Sequence, residues 1–207
     1  MKRFVFASSG GAVYGEARRR PTPEAEPLAP QSPYGCGKAA VEGYLGYHAR
    51  AHGLLACALR YANVYGPRQP SSGECGVVAI FADAFLRGTT PTIHGDGSQT
   101  RDYVHVRDVV AATAAALERG LVGAWNVGTG VETPTRRLAD LVRTAAGASG
   151  EPRHGPERAG DARRSALDAS ALSRETGWAP TVALERGIDE VVAWFRGRAR
   201  AQPAPRA

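Results

Sequence analysis

Tyr34 and Lys38 are four residues apart in the run Tyr34-Gly35-Cys36-Gly37-Lys38. On a helix that interval puts both side chains on one side. There a fixed ammonium stabilises a phenolate by Coulombic attraction. A phenol so placed can take a hydroxyl proton during an oxidation and return it during a reduction. An ammonium in the same place also suits the ribose hydroxyls of a cofactor. Taken alone, the spacing equally describes a surface pair with a helix-level role.

Other chemistry-bearing residues are less specific. His94 and His105 have no Cys, His or acid at metal-ligand spacing and read as ordinary polar or half-buried histidines. Cys36, Cys57 and Cys75 have neither zinc-site spacing nor disulfide-scaffold density, which suggests a reducing compartment. Gly128-Thr129-Gly130 lacks the later glycine of a dinucleotide fingerprint and reads as a strand-to-helix turn near a ligand cleft.

These residues need elements to position them. Residues 3–7 form a short apolar run whose exit, Ser8-Ser9-Gly10-Gly11, permits a tight turn. A proline-rich connection from Pro21 to Pro30 follows. Ser32-Pro33 then starts a helix that ends near His52, before Gly53, with Ala39, Ala40, Val41, Tyr44, Leu45 and Tyr47 as its expected packing face. Leu54 to Tyr61 reads as a strand, 77–86 as a helix, 92–94 and 103–106 as extended pieces, and the alanine-rich stretch from Asp108 through Leu117 as a helix. Residues 124–127 suggest a strand and 135–145 a helix. A polar connection covers 146–165, and further helices are expected near 168–176 and 182–196. Strands alternating with helices point to an α/β fold built on a partial Rossmann-like parallel sheet, with a small C-terminal α/β region. Binding loops in such sheets lie beyond the carboxyl ends of the strands, so Ser9, Asn63 and the Gly128 region are expected around one crevice.

The 207 residues, 43% of them hydrophobic, suffice for one sizeable core. The basic start breaks off too soon for a signal peptide, and no apolar stretch reaches the length of a membrane span, so a soluble cytoplasmic protein with no membrane partner is expected. The formal charge of +6 comes from two lysines and many dispersed arginines, some of them in the stretch from Arg196 to Arg206. Without zinc-finger spacing, an RNP-like strand or a basic-aromatic repeat, nucleic acid is not the expected partner. A diphosphate-bearing small molecule accounts for selected arginines more economically.

Six runs, in order and along nearly the whole chain, carry a resemblance. They are Ser8-Ser9-Gly10-Gly11-Ala12-Val13-Tyr14-Gly15, Tyr34 to Lys38, Arg60-Tyr61-Ala62-Asn63-Val64-Tyr65-Gly66-Pro67-Arg68, Gln99-Thr100-Arg101-Asp102-Tyr103-Val104-His105-Val106, Trp125-Asn126-Val127-Gly128 and Arg158-Ala159-Gly160-Asp161. The chain thereby resembles the extended short-chain dehydrogenase/reductase family of NAD-dependent epimerases and dehydratases, nearest to its UDP-glucose 4-epimerases.

That resemblance implies NAD as the cofactor and a UDP-sugar such as UDP-glucose or UDP-galactose as the substrate. The C4 carbinol would be oxidised to a transient 4-keto sugar and reduced from the other face. Tyr34 and Lys38 take the catalytic and cofactor-binding roles, with Ser8 a further cofactor contact. The family's usual hydroxyl position falls on Gly10, so the neighbouring Ser9 becomes the third catalytic candidate, with a turn-forming or capping serine as its alternative. Asn63, Arg101, Arg158 and Asp161 fall on substrate-binding positions, against turn bonding for Asn63 and solvated salt bridges for the charged residues.

The implied layout is a partial Rossmann-like region over 1–67, a substrate-binding insertion over 68–102, a return to the Rossmann-like region over 103–130, a mainly substrate-binding region over 131–197, and a disordered tail over 198–207. The family pattern would place roughly a hundred further residues, with the glycine-rich pyrophosphate turn, ahead of Met1. Activity of the 207 residues alone is therefore in question. The 33–52 helix matches one of two that pair subunits in the family, which implies a homodimer in the complete form. Two other readings stay open. One is a nucleotide-sugar dehydratase or reductase, although Gly11-Ala12 stands where dehydratases carry acids. The other is a sugar-nucleotide-binding fragment without catalysis.

Overall fold

The computed structural model describes residues 3–73, 76–157 and 162–201. Arg3–Ser9 forms β1. In place of a bare turn, the chain then makes a single helical turn, α1 (Gly10–Val13). A Cβ on Gly10 would come within 2.5 Å of Leu167 Cδ1, so a larger residue there would make the Leu167 side chain shift. Pro33–His52 forms α2, with the ends the sequence predicts: Ser32 Oγ accepts from the amide of Gly35 at 3.1 Å, and Gly53 leaves the helix at φ 65°.

The expected packing face of α2 is observed only in part: Ala39, Val41 and Leu45 are half-buried, and Ala39 packs against the core around the sheet. Tyr44 and Tyr47 are 68% and 52% exposed, Ala40 is exposed, and Gly35 is the one buried residue of the helix. Gly35 lets the helix backbone close on α1, since a Cβ would stand 2.6 Å from the Ala12 carbonyl oxygen. A polar stripe also reaches the strands: Lys38 bonds to β1, and Glu42 bonds to Ser8 and Arg60.

β2 (Leu55–Tyr61) runs parallel to β1. After it come β3 (Asn63–Tyr65), α3 (Val77–Leu86), β4 (Thr92–His94), β5 (Thr100–Arg101) and β6 (Tyr103–His105). Next is α4 (Val106–Arg119), which begins earlier than expected because His105 Nδ1 accepts the Arg107 amide and so caps it. Asp108 lies within its first turn and accepts from Thr181 and Val182. β7 (Gly123–Val127), β8 (Thr133–Pro134) and α5 (Thr135–Ala146) follow. The expected polar connection contains β9 (Arg153–Gly155), which pairs with β4, and the chain closes with α6 (Ser170–Thr176) and α7 (Leu184–Ala201).

The main sheet has the parallel order β1-β2-β7. Its register aligns Ser8 with Arg60 and Arg60 with Asn126. β3 pairs with β6 in parallel and β5 with β8 antiparallel. One apolar core surrounds this sheet and includes Val13, Leu59, Val104, Val127 and Leu167. A second joins α3, α5 and α7 through Phe81, Leu138, Ile188 and Val192. Among the described residues, no helix is long and apolar enough to cross a membrane.

Candidate functional site

Ser9 ends β1, Tyr34 lies in the first turn of α2, and Asn63 opens β3. All three line one cleft of about 360 Å³, together with Gly11 and Arg101. The topology explains the convergence. β1 and β2 are parallel and aligned at Ser9 and Tyr61, so their carboxyl ends release the chain at the same level.

Ser9 is the N-cap residue of α1, yet its side chain makes no capping hydrogen bond. The capping alternative is thereby removed. The Asn63 amide N–H donates to the Asp102 carbonyl at 2.8 Å, which fixes the backbone of the residue, and the side-chain oxygen faces Gly11 at the cleft wall. A Cβ on Gly11 would lie 3.6 Å from that oxygen.

Lys38 Nζ donates to the Ala7 carbonyl at 2.8 Å and lies 5.5 Å from the centroid of the Tyr34 ring and 4.9 Å from that of Phe6. The phenol and the ammonium are thus neighbours at the sheet end. Ser8 is placed differently from the sequence expectation of a cofactor contact. It is buried, does not line the cleft, and donates its hydroxyl to Glu42 Oε1. Alternation along β1 sends adjacent side chains to opposite faces, so Ser8 and Ser9 cannot share a role.

Arg101 lies between this cleft and an adjoining one of about 320 Å³, lined in part by Glu16, His94, Asp96 and Arg163. Arg101 Nη1 donates to the Thr100 carbonyl at 2.9 Å. Arg158 and Asp161 lie outside the described residues. The Gly128 turn does not share the cleft with Ser9 and Asn63, contrary to expectation. It lines a separate depression with Pro21 and Leu167. The reason is Asp102, whose carboxylate accepts from the amides of Thr129, Gly130 and Leu167 and from the Thr129 hydroxyl. Gly128 is needed there because a Cβ would reach Asp102 Oδ2 at 2.5 Å. Burial pushes the Asp102 carboxyl above its ordinary range, with the donated hydrogen bonds opposing the shift.

A row of polar side chains beneath α2 has no counterpart in the sequence reading. Glu42 accepts from Arg60 Nε at 3.1 Å and Arg60 Nη2 at 2.6 Å. Arg60 Nη1 donates to the Tyr14 hydroxyl at 2.8 Å, which donates to Asn126 Oδ1 at 2.9 Å. Burial works against the charge on Arg60, but its bonds to Glu42 and Tyr14 prevail and hold its pKa above the ordinary value. Burial likewise raises Tyr14. A signal was available in the sequence. An arginine at the end of the apolar strand Leu-Ala-Cys-Ala-Leu-Arg-Tyr requires a buried partner.

Residues 1–128 match the model of the NAD dependent epimerase/dehydratase family. The chain is 48% identical over 201 residues to a UDP-glucose 4-epimerase of Mycolicibacterium smegmatis, covering 97% of this chain and 64% of that protein. It is similar in structure to a UDP-glucose 4-epimerase from Thermotoga maritima solved with UDP-glucose, with TM-score 0.94, 47% identity, and coverage of 96% of this chain and 65% of that one. A Thermus thermophilus UDP-glucose 4-epimerase in complex with NAD gives TM-score 0.88 at 45% identity, with 95% and 64% covered. The chain therefore spans a little under two thirds of these relatives. The match of the family model over more than half of the sequence and the similarity to these relatives lead to one conclusion: the chain belongs to the NAD dependent epimerase/dehydratase family.

Proposed function

We propose that this chain provides the proton-transfer and sugar-nucleotide-holding parts of a UDP-glucose 4-epimerase, which interconverts UDP-glucose and UDP-galactose through a 4-keto sugar with NAD as cofactor. The observation that carries this reading is the convergence of Ser9, Tyr34 and Asn63 on one cleft, with the Lys38 ammonium beside the Tyr34 ring. The similarity to epimerases solved with UDP-glucose and with NAD supports it.

The residues present fit the cofactor. Lys38 uses one of its three N–H donors on Ala7, and the other two match ribose hydroxyls. Tyr34 and Lys38 would therefore hold NAD, while the Ser8 hydroxyl is already engaged with Glu42. NAD, when bound, supplies the hydride acceptor and donor. Tyr34 takes the proton of the C4 hydroxyl and returns one to the C4 oxygen after the sugar has turned over. The Ser9 hydroxyl hydrogen-bonds that oxygen. Asn63 and Arg101 hold the diphosphate, and Arg158 and Asp161 complete the hold on the diphosphate and the uridine ribose. Gly11-Ala12 brings no acid into the cleft, which favours epimerisation over loss of water.

The test is incubation of the chain with NAD and UDP-glucose, followed by separation of UDP-galactose. Tyr34→Phe is expected to lower turnover roughly 100-fold or more, and Ser9→Ala by a smaller factor. Failure of the unaltered chain to bind UDP-glucose, accumulation of a 4-keto-6-deoxy sugar, or full activity in Tyr34→Phe would overturn the reading.

A further inference from the structure

The helix that carries Tyr34 and Lys38 is held to the sheet by unusual means. An ordinary surface helix buries an apolar stripe. Among the residues of α2, Gly35 alone is buried and the large aromatics face outward. Beside Ala39, which packs against the core around the sheet, Lys38 and Glu42 reach the strands with polar atoms, and Tyr34, Lys38 and Glu42 are each four residues apart and hence along one side of the helix. Glu42 and Arg60 have side chains only 8% exposed and meet with two nitrogens of the guanidinium on one carboxylate.

The partners of Glu42 are arranged with equal regularity. Ser8 on β1, Arg60 on β2 and Asn126 on β7 occupy one level of the parallel sheet, because Ser8 pairs with Arg60 and Arg60 with Asn126 in register. Hydrogen bonds join them across all three strands: Ser8 to Glu42, Glu42 to Arg60, Arg60 to Tyr14 and Tyr14 to Asn126. Asn126 Nδ2 then donates to the carbonyls of Thr22 and Asp168. This level lies one residue before the last paired row, Ser9, Tyr61 and Val127, where the cleft begins. The polar row thus lies one residue below Ser9 and one helical turn beyond Lys38.

We propose that Glu42 and Arg60 are positioning residues for Tyr34 and Lys38, and that their forked ion pair sets the rotation and the axial register of α2 on the sheet. The inference rests on the epimerase reading for its catalytic consequence, but the geometric part stands on the row itself. A bidentate guanidinium–carboxylate pair is directional in two dimensions, whereas apolar contacts tolerate sliding. Because Glu42 is also fixed by Ser8, a change of either partner releases the helix segment that ends at Tyr34. Neither Glu42 nor Arg60 lines the cleft, so they act through α2.

The experiment uses the 207-residue chain labelled with 13C at its tyrosine rings, with the Tyr34 signal assigned by Tyr34→Phe. In the otherwise unaltered chain, Lys38→Met is expected to shift that signal. Glu42→Gln and Arg60→Lys, recorded well below their unfolding temperatures, are expected to move the Tyr34 signal themselves and to shrink its response to Lys38→Met. A general loss of stability does not produce that loss of coupling. In turnover of UDP-glucose with NAD, both variants are expected to lower kcat roughly 10- to 100-fold while KM stays within about twofold, because misplacement of a reacting group acts on the chemical step. A Tyr34 signal and a Lys38→Met response unchanged in both folded variants overturn the positioning role, whatever the turnover. Failure of the unaltered chain to bind UDP-glucose counts against the epimerase reading instead, and the ring signal still decides the positioning question.

Discussion

The α3–α5–α7 block and the α2–sheet contact solve the same packing problem in opposite ways. In the block, Phe81, Leu138 and Ile188 are each at most 1% exposed and interlock with Val142 and Val192. Under α2, the equivalent place is taken by Glu42, Arg60, Ser8 and Tyr14, joined by hydrogen bonds. Apolar burial is strong but indifferent to direction, so it secures a fold without fixing an orientation to a fraction of an ångström. A buried charge pair adds little net stability, since desolvation offsets its attraction, yet it admits few geometries. The difference follows the chemistry: the directional contact lies under the helix that bears Tyr34 and Lys38.

The largest effect that probes this contrast is in the block. Phe81→Ala deletes a ring in contact distance of Phe85 and leaves a cavity between α3 and its neighbours. A loss of about 3–5 kcal/mol is expected, read as a lower urea midpoint at unchanged slope. Next comes Arg60→Met, which leaves the Glu42 carboxylate buried with Ser8 as its remaining donor. Its expected cost is about 3 kcal/mol, and adding Glu42→Leu should recover much of it, because an apolar pair can replace an ion pair in stability. A double variant no more stable than Arg60→Met alone would show that the ion pair itself carries fold stability and would erase the contrast.

These two regions also differed in how plainly the sequence announced them. The ends of α2 were readable because Ser32-Pro33 and Gly53 act locally through a cap, a proline-compatible first turn and a left-handed exit. The meeting of Ser9 and Asn63 at one cleft followed from parallel-strand topology, and the same reasoning wrongly added the Gly128 region. The outward aromatics of α2 were misassigned because Tyr44 and Tyr47 are apolar enough to suggest a core, and nothing local reports that Glu42 has a buried guanidinium waiting on β2. The engagement of the Ser8 hydroxyl with Glu42 was hidden for a related reason. Two adjacent serines look alike until strand alternation sends one to Glu42 and leaves the other at the cleft. The separation of the Gly128 turn from the cleft depends on Asp102, 26 residues earlier, and such long-range satisfaction of backbone amides leaves no periodic trace. Gly10 was legible as a departure from the family's hydroxyl, but the side chain that packs against it, Leu167, lies far along the chain.

The smallest expected effect lies at an exposed ion pair that resembles the α2 clamp in form and differs in burial. Glu132 accepts from Arg164 Nε at 2.8 Å and Nη2 at 2.6 Å, and from the Thr100 hydroxyl. The bonds from Arg164 hold the Glu132 carboxyl below its ordinary range, burial acts against them, and Thr100 assists. A carboxylate whose pKa is depressed by folding contributes stability that is fully present above the unfolded value, about 4.3, and is lost as the pH falls through the folded value. Glu132→Gln is therefore expected to lower Tm slightly near pH 6, with the difference from the unaltered chain closing as the pH is brought toward 3. Because the Arg164 side chain is 55% exposed, added salt should shrink the difference as well. The Glu42–Arg60 pair, shielded from solvent, should show far less response to salt in the same titration. Equal salt sensitivity of the two pairs would mean that water reaches the row beneath α2, and the directional role assigned to it would then lose its physical basis.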